Sequence, residues 1–110
     1  MYARVWKFQI LPGKAEEFAE AINSFLPTLR RHAGFRGVLV LRGGPGEKLD
    51  VTGFSTWDSL EALRNSETHA FQEALLRILS CCEPHPFMRE EEVMVSEFAS
   101  QDLSDSTVGF

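Results

Sequence analysis

Cysteine is scarce in this chain of 110 residues, and the two present, Cys81 and Cys82, are adjacent. Neighbouring cysteines can close only a strained ring, which excludes a disulfide framework of the secreted kind. The expectation is two reduced thiols near a helix end. No CxxC or HxxxH spacing occurs, so a metal site would have to recruit ligands from distant segments. No apolar run approaches the ~18 residues that a spanning helix needs, so no membrane association is expected. The stretch Met1 to Trp6 has neither an apolar signal core nor a small-residue cleavage site, and a cytoplasmic protein is expected. Positive charge is sparse in the second half. Residues 1–55 carry 8 basic and 5 acidic side chains, residues 56–110 carry 3 and 11, and the net charge is −5. A nucleic-acid binder would need a basic stripe to displace counterions, so that class is excluded. No flavin, nicotinamide or metal motif is present, and the expected cofactor is none.

What is present is a full complement of apolar residues, 44% of the chain, with 25% charged, as in one soluble domain. Residues 2–10 mix aromatic and β-branched types and stop at Pro12-Gly13, which predicts a strand. Its even positions are Tyr2, Arg4, Trp6, Phe8 and Ile10. Residues 14–32 switch to a helical period through Ala15, Phe18, Ile22, Phe25, Leu26 and Leu29. Glu16 and Glu17 suit its first turn, Arg30, Arg31 and His32 its last, and Gly34 the C′ position. Pro27 predicts a kink or break. Residues 35–42 and 48–56 predict a hairpin around Gly43-Gly44-Pro45-Gly46. That glycine cluster joins two strands and precedes no Lys-Ser/Thr, so it is not a phosphate loop. Asp58 with Glu61 reads as a capping box for a short helix reaching Asn65. Ser66 would cap a second helix carrying Phe71, Ala74, Leu75, Ile78 and Leu79. Residues 91–98 predict a last strand, and 99–110 a polar tail.

This order is the split βαβ of a ferredoxin-like α+β fold with a four-stranded antiparallel sheet, in one domain over residues 1–98. A lone sheet of this kind alternates apolar and polar residues cleanly. Here Val38 and Val40 oppose Leu39 and Leu41, and Trp6 and Phe8 oppose Val5. Met94 and Phe98 oppose Val93 and Val95. Both faces call for burial, and the expected cover of the second is another copy of the chain, a homodimer.

Four segments carry a family resemblance: PGKAEEF opening the first helix, HAGFRG leading into a strand, TWDSLEALRNSETHAF, and the apolar last strand. With these the chain resembles the antibiotic biosynthesis monooxygenase domain family, small dimeric α+β barrels. The resemblance implies two sheets facing each other in the dimer and a small-molecule pocket between each sheet and its helices. It implies a cofactor-independent monooxygenase acting on an electron-rich aromatic such as a phenol, quinol or anthrone. The other class kept open is a non-catalytic small-molecule-binding or stress-associated protein. The haem-degrading branch of the family places its iron ligand where this chain has Leu75 or Leu76, and an Asn in the first strand where this chain has none. Haem oxygenation is therefore not expected. The polyketide branch has a pocket tryptophan that aligns with Trp57 and a tyrosine where this chain has Leu60, Leu63 and Arg64.

Against that resemblance, His69 is the expected base, imidazole being the readiest proton acceptor among side chains. Trp57 is read as a packing anchor, a pocket wall, or both. Leu60, Phe71 and Leu75 complete the expected apolar walls. The Trp57 indole N–H or Arg42 would hold the ligand's anion. Trp57 and His69 are expected to border one cavity between the sheet and the helix pair.

Overall fold

A computed structural model describes residues 1–43 and 49–98. The elements run β1 (Tyr2–Ile10), α1 (Ala15–Arg30), β2 (Phe35–Gly43), β3 (Leu49–Trp57), α2 (Leu60–Asn65), α3 (His69–Leu79) and β4 (Phe87–Glu92). The sheet is antiparallel in the order β2-β3-β1-β4, the ferredoxin-like arrangement. Strands β2 and β3 pair as expected of a hairpin, although its turn, like residues 99–110, lies outside the described residues.

The side-chain period of two divides the sheet into two unlike faces. Arg4, Trp6, Phe8 and Ile10 of β1 point toward the helices. Across the ladder they meet Ser55, Gly53, Val51 and Leu49 of β3. Helix α1 answers with Phe18, Ile22, Phe25, Leu26 and Leu29, all buried, and α3 with Phe71 and Ile78. The indole of Trp6 lies flat across Gly53. A Cβ there would stand 1.9 Å from its Cζ2 atom, so only glycine admits the ring.

Several local expectations are corrected. Helix α1 runs through Pro27 without a break, because Phe25, Leu26 and Leu29 on either side are locked in the core while Pro27 faces solvent. The helix is capped at Arg31. Gly34, three residues on, has φ +84 and turns the chain into β2, where a Cβ would meet that of Ala62 at 2.6 Å. Ser59, not Asp58, caps α2, accepting from the Ala62 N–H at 3.0 Å, and Asp58 pairs with Arg36 instead. Thr68 rather than Ser66 caps α3, while the buried Ser66 hydroxyl donates to the Leu63 carbonyl at 2.6 Å.

The largest correction is β4, which spans Phe87–Glu92 rather than 91–98. Its register on β1 runs from Lys7↔Phe87 to Tyr2↔Glu92, where β1 begins. Beyond one bond from the Val93 N–H to the Met1 carbonyl (3.0 Å), residues 93–98 have no described strand of this chain beside them. Met94, Val95 and Phe98 are consequently exposed, Met94 at 94%.

The outer sheet face is partly apolar. One cross-strand row reads Leu39, Phe54, Val5, Arg89, and the next Leu41, Thr52, Lys7, Phe87. Leu39 is 51% exposed, and Leu41 and Phe87 are also open to solvent. No described helix covers this face.

Candidate functional site

The helix-facing row of β1 carries one charge among aromatics, and the site is built around it. Arg4 is 5% exposed. Its guanidinium stacks 4.9 Å from the centre of the Phe71 ring, and Nη2 donates to Glu67, in the link between α2 and α3. Nη1 is buried and has no hydrogen-bond partner among the described residues. Burial pulls the Arg4 pKa below its ordinary value, against the pull of Glu67 and Glu90.

At Arg4 lies a partly open cavity of about 20 Å³, lined by Arg4 itself with Trp6, Phe8, Phe25, Phe71, Leu75, Ile78 and Met88. Phe25 and Phe71 sit with ring centres 5.5 Å apart, Trp6 and Phe8 at 5.0 Å. The void holds about one water, so a larger guest must displace side chains. Leu75 and Met88 are only half-buried, and Met88 is an unbranched thioether on an edge strand, the wall that yields most readily.

Outside Arg4 the charges pair off. Arg64 of α2 grips Glu90 of β4 with two bonds, Nε to Oε2 at 3.1 Å and Nη2 to Oε1 at 3.3 Å. This fork holds the Glu90 carboxyl below the usual range and raises the Arg64 pKa. Glu90 also stands opposite Arg4 in the β1–β4 register. Arg4, Glu67, Arg64 and Glu90 therefore cluster near the start of β1, and of the four Arg4 lines the cavity.

A second depression, a cleft of about 350 Å³, lies between His32–Gly34 and Asp58–Asn65. Its lining is mixed polar and apolar and largely exposed, and among the described residues it contains no unpartnered buried polar atom. It is larger and more open, and among the described residues it offers no unmet buried donor.

The expected site residues fall in different places. Phe71 and Leu75 stand on the cavity wall. Leu60 is half-buried at the start of α2 and does not reach that wall. Arg42 is exposed near the end of β2, on the far side of β3 from β1. Trp57 is wholly buried, edge-on to Phe35 with centres 5.3 Å apart, and its Nε1 donates to Ser55 Oγ at 3.0 Å. His69 opens α3 on its outer side. Its side chain is 88% exposed and Nε2 lies 3.1 Å from the Glu73 carboxylate. The expectation that Trp57 and His69 border one cavity is thus not met. His69 falls off the apolar stripe set by Phe71 and Ile78, so the helix turns it to solvent. Trp57 spends its N–H on Ser55 inside solid packing. Arg4 was the residue missed, and its signal was a lone charge in the apolar row Trp6, Phe8, Ile10.

Cys81 and Cys82 are buried free thiols just after α3. Cys82 Sγ donates to the Ile78 carbonyl at 3.2 Å, and burial pushes its pKa up to about 12. Such a thiol is no nucleophile near neutrality. We expect Cys82 in the folded protein to resist iodoacetamide at pH 8 while the urea-unfolded chain reacts, read by mass spectrometry. Because the unfolded thiol ionises near 9 and the folded one near 12, its contribution to stability is intact below pH 9. It is lost as the pH rises toward 12. Ready alkylation of the folded chain would contradict this.

A four-stranded antiparallel sheet with three helices on one face, in the order β2-β3-β1-β4, defines a ferredoxin-like α+β domain. The chain belongs to the antibiotic biosynthesis monooxygenase family, whose model matches residues 1–77. None of the curated proteins matches it in sequence. Among solved structures it is similar to a point mutant of SnoaB, a cofactor-independent oxygenase from Streptomyces nogalater. That match has a TM-score of 0.75 at 14% identity, covering 86% of this chain and 94% of the other. A putative antibiotic biosynthesis monooxygenase from Bordetella bronchiseptica matches with TM-score 0.71 at 18% identity, over 86% and 97% of the two chains. An anthrone oxidase-like protein matches with TM-score 0.66 at 23% identity, over 82% of this chain and 42% of the other. At these identities the likeness establishes the fold. Among the described residues no helix is long and apolar enough to cross a membrane, and no group of three potential metal ligands occurs.

Proposed function

We propose that the protein is a cofactor-independent monooxygenase acting on an electron-rich aromatic of the phenol, quinol or anthrone type. The observation that carries this reading is the cavity between sheet and helices. Its walls are four aromatic rings, three aliphatic or thioether side chains and Arg4, and the rings suit a flat aromatic guest. Family membership and the resemblance to a cofactor-independent oxygenase support the reaction class. In that chemistry the ionised substrate is itself the reductant. It passes an electron to O₂, the resulting pair recombines at carbon, and loss of water leaves the quinone. For an anthrone the balance is one O₂ consumed, one oxygen atom gained at the methylene carbon, and one water released. The protein's part is to exclude water from the ring, hold the ionised oxygen, and orient the reacting carbon.

The test is oxygen uptake with a panel of quinols and anthrones at pH 7, with EDTA present. The expected result is saturable uptake with one O₂ per quinone formed, unaffected by the chelator. Saturable binding of the same compounds with no uptake above the buffer rate would replace the oxygenase reading with that of a ligand-binding protein.

The working unit in this reading is a homodimer joined through the outer sheet face. The outer rows place Leu39, Leu41, Phe54 and Val5 on a face that no described helix covers, and Met94, Val95 and Phe98 after β4 are also exposed, apolar surface of the kind that marks an interaction site. A specific interface would bury more than ~1,000 Å² in total. Light scattering at micromolar concentration should give twice the chain mass, and Leu39→Glu should halve it while leaving the fold intact by circular dichroism. A wild-type protein of single-chain mass would refute the dimer.

A further inference from the structure

A guanidinium that is almost wholly buried is expensive to keep unless its donors are met. One side of the Arg4 fork is met by Glu67, and the other has no partner among the described residues. A Met or Leu at position 4 would continue the apolar row of Trp6, Phe8 and Ile10 with no unmet donor. The cost therefore has to be recovered in another state of the protein. Arg4 is itself one of the residues that line the cavity, with Trp6 and Phe71. The other charges nearby are already committed. Glu90 is held by Arg64 through two bonds, and Glu67 occupies Nη2 from the solvent side, its side chain 42% exposed. Tyr2, the β1 residue next along that row, lies close enough to Arg64 to act on it electrostatically.

We propose that Arg4 Nη1 is the anion-holding group of the cavity, and that the ligand is a flat aromatic carrying an ionised oxygen, a phenolate or enolate, at its edge. The ring lies among Trp6, Phe25 and Phe71, and the oxygen accepts from the Nη1 N–H groups. Donor and oxyanion meet away from water, where such a bond counts for most. This also fills the role left open by His69. Ionisation of the ligand needs no imidazole in the cavity, because a donor that prefers the anion lowers the pKa of the bound phenol.

The inference rests on reading this cavity as the ligand site, but its test involves no oxygen chemistry, so it can fail or hold independently of the oxygenase reading. The probe is 4-nitrophenol, which is small, too electron-poor to reduce O₂, and yellow only as the phenolate. Its bound ionisation is followed by absorbance across pH 5 to 9 in the wild type, Arg4→Met and Arg4→Lys. In the wild type the bound phenol should ionise at least one pH unit below its solution value, a tenfold preference for the anion. In Arg4→Met the apolar cavity should favour the neutral phenol and move the midpoint above the solution value, with neutral-phenol affinity kept within threefold. Arg4→Lys should restore part of the shift. Arg4→Met should also melt no lower than the wild type, since it removes an unmet buried donor and leaves Glu67 free to solvate. Absence of saturable binding by the wild type, or equal midpoints in wild type and Arg4→Met, overturns the proposal. So does an Arg4→Met protein that loses the ligand only because it no longer folds.

Discussion

Gly53→Ala is expected to cost about 3 kcal/mol of stability, at the top of the usual range for forcing an atom into a filled core. The new methyl would stand 1.9 Å from Cζ2 and 2.1 Å from Cε2 of Trp6. The obstructing atoms belong to a buried indole held between Phe8 and the sheet, not to the free end of a flexible chain. Trp6 must therefore leave its rotamer, and the space beside it is the cavity that it lines. Thermal unfolding at fixed protein concentration should show a fall of about 15 °C for a domain of this size. Binding of aromatic ligands should fall with it, even well below the new midpoint. A variant within about 0.5 kcal/mol of the wild type would mean that the ring does not lie where it is placed here.

Trp57 gives the second large effect, and it separates packing from chemistry. Trp57→Ala removes a wholly buried indole and should cost about 4 kcal/mol, by lost burial and by the cavity left behind. Trp57→Phe keeps most of the volume and loses the bond to Ser55, for about 2 kcal/mol. Oxygen uptake per folded molecule should change less than threefold in Trp57→Phe. If that variant were as stable as the wild type but more than tenfold slower, the indole would be acting on the substrate rather than holding the core.

The strands and helices were legible because their signals are local. Phe18, Ile22, Phe25 and Leu29 recur at helical spacing, and the alternation of Val38 and Val40 against Leu39 and Leu41 foretold two apolar sheet faces. Element ends were less legible, because caps compete within two or three residues. Asp58 could have capped α2, but Arg36 across the turn takes its carboxylate and leaves the cap to Ser59. The last strand was misplaced for a non-local reason. Val93, Met94 and Val95 have the stronger strand character, yet the register available on β1 admits Phe87–Glu92. The candidate site was half legible. Phe71 and Leu75 follow from the helix stripe. Arg4 does not, since a charge in an apolar row becomes informative only once Glu67, 63 residues away, is seen to satisfy one side of it and not the other. Gly53 is silent in the sequence for the same reason: its meaning lies in the cross-strand pairing with Trp6.

In the proposed function the cavity at Arg4, and not the larger cleft between His32 and Asn65, receives the aromatic ligand. A crystal structure of the protein soaked with 1,8-dihydroxyanthrone under nitrogen tests it most directly. The expected result is the ring system between Trp6 and Phe71, with Leu75 and Met88 displaced outward and one ligand oxygen within hydrogen-bond distance of Arg4 Nη1. Ligand seated instead in the cleft lined by His32, Asp58 and Asn65, with the Arg4 cavity unchanged, would contradict it.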